Sequence, residues 1–329
     1  MAIETGKVSP WGSFKVVAGI VAMILVPAAL TLHTVKVAPM VDRSAAGLTR
    51  FGYTYSLLLF VVPIVVIGLW ILPRDGVRVA KASFVWTIGL MFPLGAALDF
   101  FFAQSFLVFP NPFATLGIKA PALGGGVPVE EYVFYLTGFM AVLLIYIWLD
   151  EYWLTAYSVP VEARMSFERL LRFHLPSLVF AVALIAAAIF YRRVFVPGAG
   201  FPGYFVFLVV TALGPSAALL PSALPVVNWR AFALTSMVML LISLLWEATL
   251  GLPYGWWGFQ DRAMIGIFVT AWSRLPIEEV FLWIAVTYAT VMVYEIVRRW
   301  KTSGKRAGHA FLGVGRTGAA RTAGGGSAA

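Results

Sequence analysis

Long apolar runs, each close to the length that a bilayer requires, follow one another along almost the whole chain. About 20 apolar residues in an α-helix cross the hydrocarbon core of a membrane. Pro93 and Pro215 fall inside two of the runs, which membrane helices tolerate when neighbours satisfy the freed carbonyl. The pattern predicts an all-α integral membrane protein with about eight transmembrane helices, at residues 14–32, 53–72, 84–102, 128–149, 175–190, 204–224, 231–250 and 276–297.

Composition supports the same class. The chain is 61% hydrophobic and 12% charged, with a mean hydropathy of +0.89, whereas soluble domains are about 25% charged. The absence of cysteine excludes disulfides and thiolate metal sites. The net charge of +9 would suggest a nucleic-acid partner in a soluble protein. Here seven basic residues follow Val297, so we expect a tail that faces lipid headgroups, and no nucleic acid.

Lys and Arg also predict the orientation. With eight spans, the side that holds both termini carries 16 basic residues and the other side carries 8. The bias predicts that both termini are cytoplasmic in a bacterial or archaeal-type cell membrane. Residues 301–329, rich in Gly, Ala, Ser, Thr and Arg, are predicted to be a basic, disordered tail.

An internal repeat organises the acidic residues. The matched positions lie 148 residues apart: Asp99 and Glu247, Pro128 and Pro276, Glu130 and Glu278, Glu131 and Glu279. Four spans separate the copies, so the prediction is a parallel repeat of two similar halves. The domain boundaries that follow are 1–52 for an N-terminal segment with the first helix, 53–152 for the first repeat, 153–203 for a linker with one helix, 204–300 for the second repeat and 301–329 for the tail.

The repeated Pro-x-Glu-Glu predicts a helix start inside an acidic cluster. Proline suits the first helical turn, which places the two glutamates near the positive end of the helix dipole. Adjacent helical residues point about 100° apart, so one glutamate of each pair can face the interior while its neighbour meets another element. Asp99 and Glu247 end the preceding helices on the same membrane side. The carboxyl groups can therefore approach each other and share a proton.

Other charged residues have simpler interpretations. Asp261 and Arg274 are predicted to pair within a loop. Asp150 and Glu151 are predicted to lie in a solvated turn. Glu295 is predicted to form an ion pair three or four residues away, with Arg298 or Arg299.

Aromatic residues crowd the same regions as the acids. An interfacial belt would look similar, but rings beside acids can also stack on a polyene or stabilise a carbocation. The candidate substrate-binding residues are Trp246, Trp256, Trp257, Phe259 and Tyr132.

At these residues the chain resembles a known family. The stretch W-E-x-x-L-G-L-P-Y-G-W-W-G-F at 246–259, I-G-I at 265–267 and L-P-I-E-E at 275–279 are similar to the lycopene cyclase domain of bacterial heterodimeric and archaeal or fungal fused carotenoid cyclases. The similarity covers 246–295 and is looser over 98–152, where Pro-Val-Glu-Glu-Tyr is kept but the G-x-W-x-F loop is not recognisable. The resemblance implies an integral membrane enzyme of two similar halves that takes a hydrophobic polyene from the bilayer.

The resemblance also implies a chemistry without metal or cofactor. A carboxylic acid protonates the terminal double bond of a lycopene-type end group, the neighbouring double bond closes a ring, and a carboxylate removes a ring proton. We expect Glu278 or Glu279 to be the acid, with Glu130, Glu131, Glu247 and Asp99 as base or proton-sharing partners. Two alternatives stay open: a carotenoid 1,2-hydratase that uses the same acid, and a transporter with a duplicated acidic site. The oligomeric state is left open.

Overall fold

The computed structural model describes residues 50–73, 80–198 and 200–313, with three isolated helical residues before them, Ala18, Ala22 and Val26. The predicted first span, 14–32, therefore lies outside the continuously described part of the chain. The other seven predicted spans coincide with seven helices that are long and apolar enough to cross a membrane. These are α1 (Gly52–Ile71), α2 (Lys81–Phe106), α3 (Val129–Trp148), α5 (Leu175–Phe195), α6 (Gly203–Ala223), α7 (Trp229–Trp246) and α8 (Ile277–Thr302), and two short helices, α4 (Val161–Met165) and α9 (Ala307–Leu312), lie between or after them.

Helices α3 and α8 form the centre of the bundle. In their most apolar stretches 50% and 61% of the residues are buried, against 22% in α1 and 17% in α5. Helix α8 packs against α6, α7, α2 and α3, while α3 packs against α1, α2 and α7. The outer helices expose large apolar side chains, such as Leu59 and Leu69 at 71%, which suits contact with lipid. The protein is an all-α membrane protein.

The helices alternate in direction, so the C-termini of α2 and α7 and the N-termini of α1, α3, α6 and α8 share one end of the bundle. Two loops cover this end, residues 107–128 and 247–276. Three short antiparallel strand pairs tie them down: β1 (Leu107–Val108) with β4 (Gly258–Phe259), β2 (Lys119–Ala120) with β3 (Val127–Pro128), and β5 (Phe268–Val269) with β6 (Leu275–Pro276). The first pair joins the two loops into one cap.

A buried ion cluster holds the opposite end together. Arg298 lies 3.1 Å from Asp150 and 3.1 Å from Glu151. Arg164 contacts Glu295 directly and lies 3.8 Å from Asp150. The prediction that Asp150 and Glu151 form a solvated turn is wrong, because Asp150 is fully buried in this cluster. Arg164 comes from the linker, so the sequence around the turn does not indicate this ion pair.

Two further ion-pair predictions hold. Glu295 lies 3.7 Å from Arg298, three residues along α8. Asp261 and Arg274 pair at 3.4 Å, and both side chains are more than half exposed.

The start of the C-terminal tail is folded, although disorder is predicted from residue 301. Helix α9 packs beside the linker, where the Leu170 N–H donates to the Ala310 carbonyl at 2.8 Å and the Leu171 N–H to the Phe311 carbonyl at 3.1 Å. The remainder of the tail, from residue 314, lies outside the described residues.

Replacing Arg164 by methionine is expected to destabilise the protein strongly. The change leaves Asp150 and Glu295 buried with less countercharge, and breaking a buried ion pair costs about 3–5 kcal/mol. Burial already lowers the pKa of the Arg164 guanidinium, so desolvation opposes its charge even in the native protein. Thermal unfolding in detergent would measure the loss.

Arg274→Gln is the matched control, because it breaks an exposed pair that contributes about 0–1 kcal/mol. Equal losses of stability in the two variants would contradict the structural role assigned to the buried cluster.

Candidate active site

Both Pro-x-Glu-Glu segments open a central helix, as the spacing predicts. Pro128 precedes the first residue of α3 and Pro276 precedes the first residue of α8, with extended backbone at both prolines. The two glutamates that follow lie in the first helical turn. There the unpaired N–H groups and the helix dipole favour a negative charge. Their side chains diverge, so the two glutamates of each segment meet different surroundings.

The first glutamate of each segment holds the loop cap to the bundle. Glu130 accepts hydrogen bonds from the Leu116 N–H at 2.7 Å and from the Thr54 hydroxyl at 2.6 Å. Glu278 accepts a hydrogen bond from the Ile265 N–H. Neither glutamate lines the cavity described below, although sequence analysis names both as candidate catalytic groups.

The loop segment held by Glu130 is one that sequence analysis missed. Leu116-Gly117-Ile118 occupies the same place beside α3 that Ile265-Gly266-Ile267 occupies beside α8. Both glycines have left-handed backbone, with φ of 78° and 97°. In both cases the residue after the glycine accepts a hydrogen bond, at 3.0 Å, from the first N–H of the helix. The 149-residue spacing of the two Leu/Ile-Gly-Ile segments was the available signal.

The second glutamates face a small cavity between the helices and the cap, which we call the carboxyl chamber. Glu131, Glu247 and Glu279 line it, and its volume is about 30 Å³. The Tyr53 hydroxyl donates to Glu131 at 2.6 Å. Tyr204 and Glu247 line the chamber beside Glu279. The other walls of the chamber are aromatic or aliphatic: Phe134, Tyr135, Trp246, Trp257, Phe259, Leu107 and Leu282.

Asp99 and Glu247 approach the chamber from the ends of the preceding helices. The Tyr135 hydroxyl donates to Asp99 at 3.2 Å, and the Trp283 indole N–H donates to Glu247 at 2.8 Å. Both donors follow the second glutamate by four residues, which places them on the same helical face. Asp99 does not line the chamber itself but lies behind Tyr135.

Glu247 and Glu279 are buried neighbours at the chamber. Two ionised carboxylates buried side by side repel each other, which favours one proton on the pair. Asp99, Glu247 and Glu279 each also have one buried oxygen without a hydrogen-bond partner. The chamber thus combines neighbouring buried carboxyl groups with carboxyl oxygens that have no hydrogen-bond partner. Among the described residues, no three acidic or histidine side chains are grouped as metal ligands.

The predicted substrate-binding aromatics divide into two sets. Trp246, Trp257 and Phe259 line the chamber. Trp256 stacks on Tyr53 with the ring centres 6.4 Å apart, one layer farther out. Tyr132 lies away from the chamber and donates its hydroxyl to the Pro121 carbonyl at 3.1 Å.

Two apolar cavities adjoin the chamber from the membrane interior. The wide cavity, about 360 Å³, lies between α1, α3 and α7 and shares the walls Phe134 and Trp246 with the chamber. The narrow cavity, about 50 Å³, lies between α2, α3, α6 and α8 and shares Tyr135 and Leu282. The chamber therefore lies where two apolar spaces converge on the carboxyl groups.

Changing Glu278 to alanine is expected to loosen the cap beside α8. Hydrogen bonds to charged groups contribute about 1.5–3 kcal/mol, so hydrogen exchange at the Ile265 amide should accelerate roughly tenfold or more. Glu278→Gln keeps a carbonyl oxygen that can accept the same bond and should exchange much closer to the wild-type rate. Equal protection of Ile265 in the alanine variant and the wild type would contradict the role of Glu278 in holding the loop.

No protein-family model, no curated protein and no solved structure matches this chain. Function is therefore inferred from the chamber itself, from its carboxyl groups, its aromatic walls and the two cavities beside it.

Proposed function

We propose that the protein is an intramembrane enzyme that cyclises the end groups of lycopene-type polyenes by acid–base chemistry. The observation that carries this proposal is the convergence of Glu131, Glu247 and Glu279 on one buried cavity with aromatic walls. Carbocation cyclisation needs an acid, a base and the exclusion of water. The similarity of 246–295 to lycopene cyclase domains supports the same chemistry.

We further propose that the chain contains two similar halves that share this site. The support is a set of equivalent contacts on α3 and α8: the first glutamate accepts from a loop N–H, and the residue four positions after the second glutamate donates to the acid of the preceding helix. Eight spans with both termini cytoplasmic would place the chamber at the outer end of the bundle.

Glu279 is assigned as the acid. Trp283 donates to Glu247, and an indole N–H cannot accept. This donor favours the anionic form of Glu247. The proton held by the Glu247–Glu279 pair is therefore assigned to Glu279. Transfer of that proton to the terminal double bond of the substrate forms a new C–H bond and leaves a tertiary cation.

Glu131 is assigned as the base. The Tyr53 hydroxyl donates to it and stabilises the carboxylate. After the neighbouring double bond attacks the cation and closes the ring, Glu131 removes one ring proton and a double bond forms. The rings of Trp246 and Trp257 face the chamber and can stabilise the cation meanwhile. The mass of the substrate is unchanged and no redox cofactor takes part.

A polyene end group requires more room than the chamber offers. Its volume of about 30 Å³ accommodates about one or two water molecules. The proposal therefore requires Phe134 and Trp246 to move, so that the chamber and the wide cavity become continuous.

The two alternatives make different predictions. Water that reaches the cation would give a hydratase, with a product heavier by one water. A transporter would hold its acids near the bilayer midplane, whereas Glu131 and Glu279 lie in the first turns of their helices.

Expression in lycopene-accumulating bacteria, with chromatography and mass analysis of the pigments, tests the proposal. We expect products of unchanged mass that absorb at shorter wavelength. A mass gain of one water identifies the hydratase instead, and unchanged lycopene argues against both enzymes.

Glu279→Gln and Glu131→Gln are each expected to lower product formation by about 100-fold or more, the contribution typical of general acid or base groups. Glu278→Gln is the matched control one residue away, and we expect activity within about threefold of wild type, because its amide still accepts the loop hydrogen bond. Pigment analysis with protein quantified in the membrane measures all three. Loss of product in Glu278→Gln, with activity kept in Glu279→Gln, would reverse the assignment.

A further inference from the structure

The two apolar cavities are lined by equivalent positions of the chain. Gly138, Ala141 and Ser243 line the wide cavity. The residues that lie 148 positions away from them, Val286, Ala289 and Gly95, line the narrow one. The two spaces thus have matching lining positions beside the chamber, although their volumes differ.

Particular side chains explain the difference in volume. Phe207 and Phe139 line the narrow cavity. At the same 148-residue spacing Phe139 corresponds to Thr287, which does not line the wide cavity, and Phe207 corresponds to the smaller Leu59 at the outer edge of that cavity. Val286 in the narrow cavity corresponds to Gly138 in the wide one, where an added Cβ would still be 3.8 Å from Trp283. The narrow cavity is filled by its own side chains, while the wide cavity remains open.

We propose that the wide cavity between α1, α3 and α7 binds the linear polyene chain of the substrate while one end group occupies the carboxyl chamber. This inference rests on the proposed function and specifies which of the two spaces the chain enters. It also implies that one end of the polyene reacts per binding event, because within the described part of the chain the narrow cavity is filled by side chains.

The dimensions and lining of the wide cavity suit an extended apolar chain. Its lining runs along α1 from Leu57 to Ile67 and along α3 from Phe134 to Ile145, which corresponds to about 15 Å of helix in each case. Its volume of about 360 Å³ lies within the range of ligand pockets. Leu59 and Ile67, at its outer edge, are 71% and 42% exposed on the lipid-facing side of α1. A polyene dissolved in the bilayer can therefore enter between helices without crossing the polar cap.

The contact between cavity and chamber fixes the direction of the chain. Phe134 and Trp246 belong to both spaces, with ring centres 5.6 Å apart. A chain in the wide cavity meets these rings at its inner end, and the carboxyl groups lie directly behind them. The reacting end group therefore lies in the carboxyl chamber, and the remainder of the polyene lies in the wide cavity.

The test compares substitutions at equivalent positions of the two cavities. Ala141→Phe and Gly138→Leu place side chains in the wide cavity, and Ala289→Phe and Val286→Leu are their counterparts in the narrow one. Each is measured for lycopene conversion in cells. Each is also measured, in a Glu279→Gln background that removes turnover, for lycopene retained per purified protein. Thermal unfolding of each variant confirms that it is folded, and the milder leucine pair decides the comparison where a phenylalanine variant does not fold.

We expect the wide-cavity variants to lose at least tenfold in both retained lycopene and conversion, and the narrow-cavity variants to stay within threefold of wild type. Loss only in the narrow-cavity variants, equal loss in both sets, or no loss in either would overturn the inference while conversion by the wild type continued. Failure of the wild type to convert or retain lycopene would instead refute the proposed function, and this inference with it.

Discussion

Burial of several carboxyl groups at one end of a membrane bundle is the constraint on which this structure depends. Glu131, Glu247, Glu279 and Asp99 are all at most 5% exposed, and transfer of unpaired charge out of water is costly. Two features offset that cost: the N-termini of α3 and α8, and donors from Tyr53, Tyr135 and Trp283. Each requires helix ends brought together by the bundle, so helix order and the acidic site are linked.

The loop cap follows from the same constraint. A helix start carries N–H groups without intrahelical partners, and water would satisfy them if the chamber were open. Instead the Leu116 and Ile265 N–H groups approach the first glutamates while Gly117 and Gly266 turn the loop closely enough for the next carbonyl to bond the helix. The first glutamate of each pair therefore holds the loop that covers the chamber, and the second glutamate faces the chamber.

Sequence patterning predicted the seven described membrane-length helices and the acids at their ends because each depends on local information. An apolar run of bilayer length indicates a membrane helix, and a proline before two glutamates indicates a helix start, each from one short stretch of sequence. The division of labour between Glu278 and Glu279 could not be predicted in the same way, since it depends on which element faces each side chain. The buried state of Asp150 likewise depends on Arg164 and Arg298, which come from a distant linker and from another helix.

The differences between equivalent positions matter more for chemistry than their similarity. Tyr135 and Trp283 occupy matching places, yet a hydroxyl both donates and accepts, whereas an indole N–H only donates. Glu247 beside Trp283 is therefore held as an acceptor, while Asp99 beside Tyr135 can exchange roles with its partner. In the proposed mechanism, carboxyl groups with identical partners would compete for the same proton. Under the same proposal, unequal partners separate a carboxyl group that gives a proton from one that takes it, and the unequal cavities determine from which side the substrate meets them.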